Sequence, residues 1–161
     1  MQTALIAHGL AVLAKVRYQK DVDPEHVLAL ALYHDVGEVI TGDLPTPVKY
    51  KNQAIQGAYK QLESLACEQL SRALPKDMRD AYQVYLSPDE SGYAWRLVKA
   101  ADRICAYLKC VEEEKMGNRE FEQAKQTVTA SIAQIAMPEV QAFMREFVPS
   151  FSLTLDELSR L

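Results

Sequence analysis

The amino-acid sequence predicts an all-α fold, a single bundle of about six to eight helices. Apolar residues recur at helical spacing along nearly all of the 161 residues, and no segment alternates convincingly as a strand does. Proline and glycine separate these segments where helices are expected to end. With 48% hydrophobic and 25% charged residues, the chain can bury one core, so residues 1–161 are expected to form one domain.

Capping signals set the expected order of elements. Asp23 followed by Pro24 begins a helix that we expect to be apolar almost all round and central, and Gly117 closes a later one. Thr154 and Glu157 have the spacing of a capping box, and residues 41–47, with one glycine and two prolines, are expected to form a loop. The predicted helices are 1–20, 24–39, Gln53–Ala73, 77–86, Tyr93–Lys115, 119–136 and 139–147, with a short last turn from Thr154.

Charge and cysteine usage exclude several classes of protein. A net charge of −4 argues against a nucleic-acid-binding domain, which needs a basic face, but allows a small phosphorylated substrate. The three cysteines form no CxxC pair and are expected to be reduced thiols. We find no apolar run long enough to cross a membrane and no signal peptide, so the chain is expected to be soluble and cytoplasmic.

Four residues form the candidate chemical site. His34 and Asp35 are adjacent, Glu38 follows one helical turn later, and Asp102 lies in a distant apolar helix. Burying a carboxylate without a partner is costly, so a divalent cation held by His34 and both aspartates would satisfy them together. Imidazole and carboxylate ligands suit Mn, Fe, Co or Zn. Glu38 would then act as a general acid or base.

Plainer interpretations of the same residues stay open. The His–Asp pair is also compatible with a surface hydrogen bond, and Glu38 with a solvated helix end. Asp102 has three possible ion-pair partners on its own helix, which are Arg96, Lys99 and Arg103. For the other two histidines a structural role is expected, with His8 packed or hydrogen-bonded and His26 exposed.

Three segments together resemble a known family. YHDVGEVITGDLPTPVKY, VKAADRICAYLKC and FVPSFSLTLDEL are similar to segments of the bacterial 5′-deoxynucleotidases of the HD-domain superfamily, and the resemblance covers essentially the whole chain. HDxxE followed by TGDLPTPVK is highly specific, whereas the HD pair alone is not. The resemblance implies an HD-domain helical bundle, a cytoplasmic homodimer, and metal-dependent removal of the 5′-phosphate from deoxyribonucleoside monophosphates.

The resemblance also assigns roles to residues of this chain. It implies that His34, Asp35 and Asp102 bind a divalent metal such as Co, Mn or Zn. It implies that Glu38 is the catalytic acid–base residue. It places the nucleotide against Asp35, Asp43, Leu44, Pro45 and Thr46.

The sequence departs from the family at its start. Family members carry a further histidine ligand in an E-H-S stretch just before the position of Met1, and an arginine and an aromatic residue earlier still. We therefore expect Met1 to be an internal residue of a longer protein. If the chain does begin there, weak or partial metal binding and poor turnover are expected. Two alternatives remain: another HD-type nucleotide phosphohydrolase, or an inactive, metal-poor helical dimer that binds nucleotides.

Overall fold

The computed structural model describes residues 1–44 and 52–160, and no strand occurs in this part of the chain. Seven of its helices have eight residues or more, which confirms the predicted number, and two are single turns. The helices are α1 (Gln2–Tyr18), α2 (Pro24–Tyr33), α3 (Glu38–Thr41), α4 (Gln53–Ala73), α5 (Arg79–Leu86), α6 (Tyr93–Lys115), α7 (Glu122–Ala133), α8 (Pro138–Glu146) and α9 (Leu155–Leu158). Short 3₁₀ turns span Lys76–Met78, Arg119–Phe121 and Val148–Ser152.

The core forms around α1, which packs against α2, α6 and α8. Its small buried residues let the neighbouring helices approach closely, while larger side chains fill the space between them. Each fully buried aliphatic side chain contributes about 1.5–3 kcal/mol relative to an exposed one. The largest such side chains are Leu10, Val27, Leu97, Val98, Ile104, Leu108 and Val140. This core holds α2 and α6 side by side, and these two helices carry the candidate site.

The helix ends follow the predicted capping chemistry. The Asp23 carboxylate accepts a hydrogen bond from the backbone N–H of Glu25 at 3.1 Å, and Pro24 is the first residue of α2. Thr154 and Glu157 form the reciprocal bonds of a capping box at the start of α9. Gly117 has a φ of +81°, a conformation that favours glycine and ends α6.

The prediction of one helix over residues 24–39 was wrong. Helix α2 ends at Tyr33, and residues 34–37 form a turn before α3 begins at Glu38. Nδ1 of His34 donates a hydrogen bond to the carbonyl of Ala31 at 2.7 Å. In a continuing helix that carbonyl would have accepted a bond from the backbone N–H of Asp35. The bonds that follow have the tighter i→i+3 spacing, as in Glu38 N–H to Asp35 C=O at 2.9 Å.

Three smaller predictions also need correction. Residues 119–136 are not one helix, because a 3₁₀ turn at Arg119–Phe121 precedes α7 and the helix ends at Ala133. The predicted helix 77–86 likewise opens with a 3₁₀ turn. His26 is half-buried rather than exposed, with its ring centroid 6.1 Å from that of Tyr85.

All three cysteines are free thiols, as predicted. No helix in the described residues has the length and apolarity of a membrane span.

A buried polar pair fixes the start of α6. Glu139, on the first turn of α8, is fully buried, and its Oε1 accepts a hydrogen bond from the hydroxyl of Tyr93 at 2.5 Å. Burial and this carboxylate both raise the pKa of Tyr93, so the hydroxyl remains a donor. Since α6 begins at Tyr93, the bond ties the helix that carries Asp102 to the opposite side of the core.

Candidate functional site

The turn after α2 presents the His–Asp pair. His34 is the C-cap residue of α2, and only 11% of its side chain is exposed. Its Nδ1 donates a hydrogen bond to the carbonyl of Ala31, since a carbonyl oxygen can only accept. The ring is therefore held in one orientation by the backbone of its own helix.

The second ring nitrogen of His34 faces two carboxylates. Nε2 is buried and makes no hydrogen bond of suitable angle with any described group. It lies 2.9 Å from Oδ2 of Asp35 and 3.8 Å from Oδ1 of Asp102. In the neutral ring Nδ1 holds the proton, so the lone pair of Nε2 would point toward two negative charges. A proton or a metal cation at this position removes that repulsion.

Proton binding at His34 reflects these neighbours. Burial lowers the pKa of the imidazole, but the carboxylates of Asp102 and Asp35 outweigh it and raise the pKa from 6.5 to about 9. At neutral pH the metal-free ring therefore carries a positive charge. A metal ion that binds Nε2 must displace this proton, because only the neutral ring is a ligand.

In metal-free protein we expect His34 to titrate near pH 9. Because the folded pKa lies above the unfolded value of 6.5, the stability that the imidazolium contributes is complete below pH 6.5 and is lost as the pH rises through about 9. An NMR titration of the three histidine rings in the presence of a chelator measures this, with His8→Gln and His26→Gln identifying the remaining signal. A midpoint at or below 6.5 would contradict the described geometry.

The expectation that burial forces Asp35 and Asp102 to share a cation needs correction. Their side chains are 48% and 44% exposed, so water reaches both carboxylates. They are brought together because the turn at the end of α2 packs against α6. Asp102 also lies 3.7 Å from Nζ of Lys99, one of the ion-pair partners considered from the sequence.

These residues fit a divalent cation in their chemistry. Among residues 1–44 and 52–160 no group of three or more His, Cys, Asp or Glu side chains has the arrangement to hold a metal ion as it stands. The structure instead shows a buried imidazole nitrogen without a hydrogen bond beside two partly hydrated carboxylates. The bond from Nδ1 to a backbone carbonyl is also the support that metal-binding histidines commonly have.

A groove of about 330 Å³ runs past the His–Asp turn, a volume in the range of small-molecule sites. His34, Asp35 and Glu38 lie along it, with Glu38 half-buried at the start of α3. Backbone and side-chain atoms of α4 approach Gly37 so closely that a Cβ there would lie 3.3 Å from both Cys67 Sγ and the carbonyl oxygen of Glu63. The predicted acid–base residue and the His–Asp pair therefore share one surface.

The groove contains residues that the sequence did not single out. Helix α4 contributes one face, spaced three or four residues apart, and the loop between α5 and α6 forms the opposite wall. No motif marks these positions, because they reach the site through the packing of α4 against α3 and through the loop before α6. They include Lys60, Glu63, Cys67, Ser87 and Glu90.

The predicted nucleotide-binding loop is only partly described. Gly42 ends α3, and its carbonyl accepts a hydrogen bond from the hydroxyl of buried Tyr59 at 2.9 Å, which anchors the start of the loop. Asp43 is exposed and Leu44 half-buried, and neither is among the described residues that line the groove. Pro45 and Thr46 lie outside the described residues.

Comparisons with known proteins identify the family of the chain. Residues 1–151 match the family model described as "5′-deoxynucleotidase YfbR-like". The chain is similar to a 5′-deoxynucleotidase of Erwinia tasmaniensis, with 45% identity over 99% of this chain and 81% of the relative. It is also similar to a 5′-deoxynucleotidase of Vibrio cholerae, with 44% identity over 99% of this chain and 82% of the relative.

A solved structure supports the fold. An HD-domain phosphohydrolase from Listeria innocua superposes with a TM-score of 0.80, covering 93% of this chain and 73% of its own. Its sequence is only 23% identical, so this likeness bears on the architecture alone. It confirms the predicted HD-domain helical bundle.

Proposed function

Because this chain belongs to the YfbR-like family of 5′-deoxynucleotidases, we propose that it removes the 5′-phosphate from deoxyribonucleoside 5′-monophosphates. The observation that carries the proposal is the meeting of the His34 imidazole with the carboxylates of Asp35 and Asp102, beside a groove that His34, Asp35 and Glu38 line. The names of relatives that match nearly the whole chain support the reaction.

The proposal assigns the metal ligands to His34, Asp35 and Asp102. Nε2 of His34 supplies the imidazole ligand once its proton has left, and the half-exposed aspartates supply oxygen ligands. Such a mixed nitrogen and oxygen set suits Mn, Fe, Co or Zn. A divalent ion, when bound, would polarise the phosphoryl oxygen as a Lewis acid.

Glu38 is proposed as the acid–base residue. In the hydrolysis, the oxygen of a water molecule forms a bond to phosphorus while the bond between phosphorus and the sugar O5′ breaks. The Glu38 carboxylate takes a proton from that water and returns one to O5′, so the products are phosphate and a deoxynucleoside. The turn at residues 34–37 supports this role, since it begins α3 at the edge of the groove with Glu38 as its first residue.

Substrate contacts are proposed for Asp35 and for the segment that follows Gly42. Asp43, Leu44, Pro45 and Thr46 would contact the nucleotide, with Asp43 better suited to a sugar hydroxyl than to a phosphate. The Tyr59 hydrogen bond to the Gly42 carbonyl supports this, because it fixes the point at which the segment leaves α3.

The proposal extends to organisation and location. We propose a single-domain chain that acts as a homodimer in the cytoplasm on a small nucleotide rather than on nucleic acid. The shared core of α1, α2, α6 and α8 supports one domain, and the net charge of −4 disfavours a nucleic-acid partner. Sedimentation analysis of the purified chain tests the dimer directly.

Phosphate release from a panel of nucleotides tests the activity. Deoxy- and ribonucleoside 5′-monophosphates, a 3′-monophosphate and a deoxynucleoside triphosphate are each supplied with Mn, Co or Zn. We expect release from the deoxyribonucleoside 5′-monophosphates, and none after metal is removed with a chelator. Release from the triphosphate alone would favour another type of nucleotide phosphohydrolase, and no release from any nucleotide, with binding retained, would favour the inactive nucleotide-binding protein.

A further inference from the structure

An ion pair joins the two walls of the groove. Nζ of Lys60, on α4, lies 2.6 Å from Oε2 of Glu90, in the loop between α5 and α6. Both residues line the groove that contains the His–Asp turn. The pair therefore connects α4 with the loop between α5 and α6 across the groove.

Lys60 lies on the face of α4 that borders the site. Residues 56, 60, 63, 64 and 67 share this face, at the spacing of helical neighbours. Cys67, at its far end, lies beneath Gly37 of the His–Asp turn. Tyr59, next to Lys60, hydrogen-bonds the carbonyl of Gly42, where the proposed nucleotide-binding segment begins. Lys60 thus lies on the helix face that borders the groove of the His–Asp turn.

The described part of the groove carries both acidic and basic side chains. The described acids that line it are Asp35, Glu38, Glu63 and Glu90, and, apart from His34, the described bases are Lys60 and Lys99. Lys99 already lies 3.7 Å from Asp102 and 5.9 Å from the centroid of the Trp95 ring. Lys60, by contrast, is paired with the exposed carboxylate of Glu90, so it is the groove lysine that a phosphate monoester can recruit by displacing that one partner.

We propose that Lys60 binds the phosphate group of the substrate and that Glu90 occupies Lys60 while the groove is empty. This rests on the proposed function and adds a specificity-determining residue to it. The side chains of Lys60 and Glu90 are 66% and 55% exposed. Because exposed ion pairs contribute little net stability, a phosphate group can displace Glu90 readily. A phosphate monoester carries up to two negative charges where the Glu90 carboxylate carries one, so at equal distance it attracts the Lys60 ammonium more strongly. A nucleoside without phosphate gains nothing from Lys60.

Steady-state kinetics of Lys60→Gln, Glu90→Gln and the double variant test the proposal. We expect Lys60→Gln to raise KM by about 10-fold or more, the effect of losing a charged hydrogen bond, with kcat within about twofold. Glu90→Gln is expected to lower KM by about 2–5-fold, the effect of removing an exposed ion pair, and to have no effect once Lys60 is replaced. Lys20→Gln and Glu120→Gln, exposed positions away from the groove, serve as matched controls.

Calorimetry separates this inference from the proposed activity. Inorganic phosphate is titrated into each variant, and a deoxynucleoside without phosphate is titrated in parallel, so no turnover is needed. Weaker phosphate binding in Lys60→Gln, with unchanged deoxynucleoside binding, would support the proposal even if the chain hydrolysed no monophosphate. The proposal is overturned if phosphate binding is unchanged in Lys60→Gln, or if Glu90→Gln weakens it as much as Lys60→Gln does, which would identify the pair as a structural link between the walls.

Discussion

Glu38→Gln is expected to lower kcat for phosphate release by about 10²–10⁴-fold, the usual contribution of a general acid–base residue. Glutamine has nearly the same shape as glutamate but cannot take a proton from water or return one to the leaving oxygen. Glu38 lies at the start of α3 and half-buried at the groove, so the replacement leaves the helix and the groove in place. Initial rates with a deoxyribonucleoside 5′-monophosphate at saturating metal measure the effect.

Metal content and KM provide the necessary comparison for Glu38→Gln. Both are expected to change little, since the proposed role of Glu38 is proton transfer rather than ligand binding. Glu25→Gln makes the same chemical change at an exposed position on α2 and should retain full activity. If Glu38→Gln kept more than about a tenth of the wild-type rate, a group other than Glu38 would have to move the proton.

Asp102→Asn is expected to weaken divalent-metal binding by about 100-fold or more, since even loss of an outer partner of a metal ligand costs about 10–100-fold. The amide oxygen is a weaker and uncharged ligand, and the change removes one of the two negative charges that face Nε2 of His34. Competition with a chelator, followed by metal analysis of the protein, measures the affinity. Activity falls in parallel if the metal is required.

The same substitution has a readout that does not depend on metal. With one carboxylate gone, the pKa of His34 in metal-free protein should fall below its value of about 9, because Asp102 is one of the groups that raise it. Glu112→Gln, an exposed change on the same helix, should alter neither the metal affinity nor the His34 titration. Unchanged metal affinity in Asp102→Asn would remove Asp102 from the proposed ligand set.

Much of the fold was predictable because its signals are local. Helical spacing, the Asp23 cap, Gly117 and the Thr154–Glu157 capping box all act within a few residues, and the structure confirms each of them. The end of α2 was missed for a physical reason. The helical pattern of residue types continues through residues 34–39, but the side chain of His34 takes the carbonyl of Ala31 and closes the helix early.

The sequence predicts those residues of the candidate site that belong to a motif, but not those that reach the site only through tertiary packing. His34, Asp35 and Glu38 lie within five consecutive residues, so their proximity follows from the sequence, and Asp102 stands out as a carboxylate in an apolar helix. The opposite wall, with Lys60 and Glu90, has no such pattern, because α4 and the loop before α6 reach the groove through tertiary contacts. The exposure of Asp35 and Asp102 was also missed, since an apolar helix does not reveal which residue lies at its open edge.

The hydrogen bond from His34 to Ala31 couples the orientation of the imidazole ring to the packing of the hydrophobic core. Ala31 and its neighbour Leu30 are both buried, so the carbonyl that aims the ring moves only when the interior moves. Substitutions at Leu30 or Val27, which do not line the groove, are expected to shift the carbonyl that orients the ring. The buried residues at the end of α2 therefore contribute both to the stability of the core and to the orientation of the His34 ring.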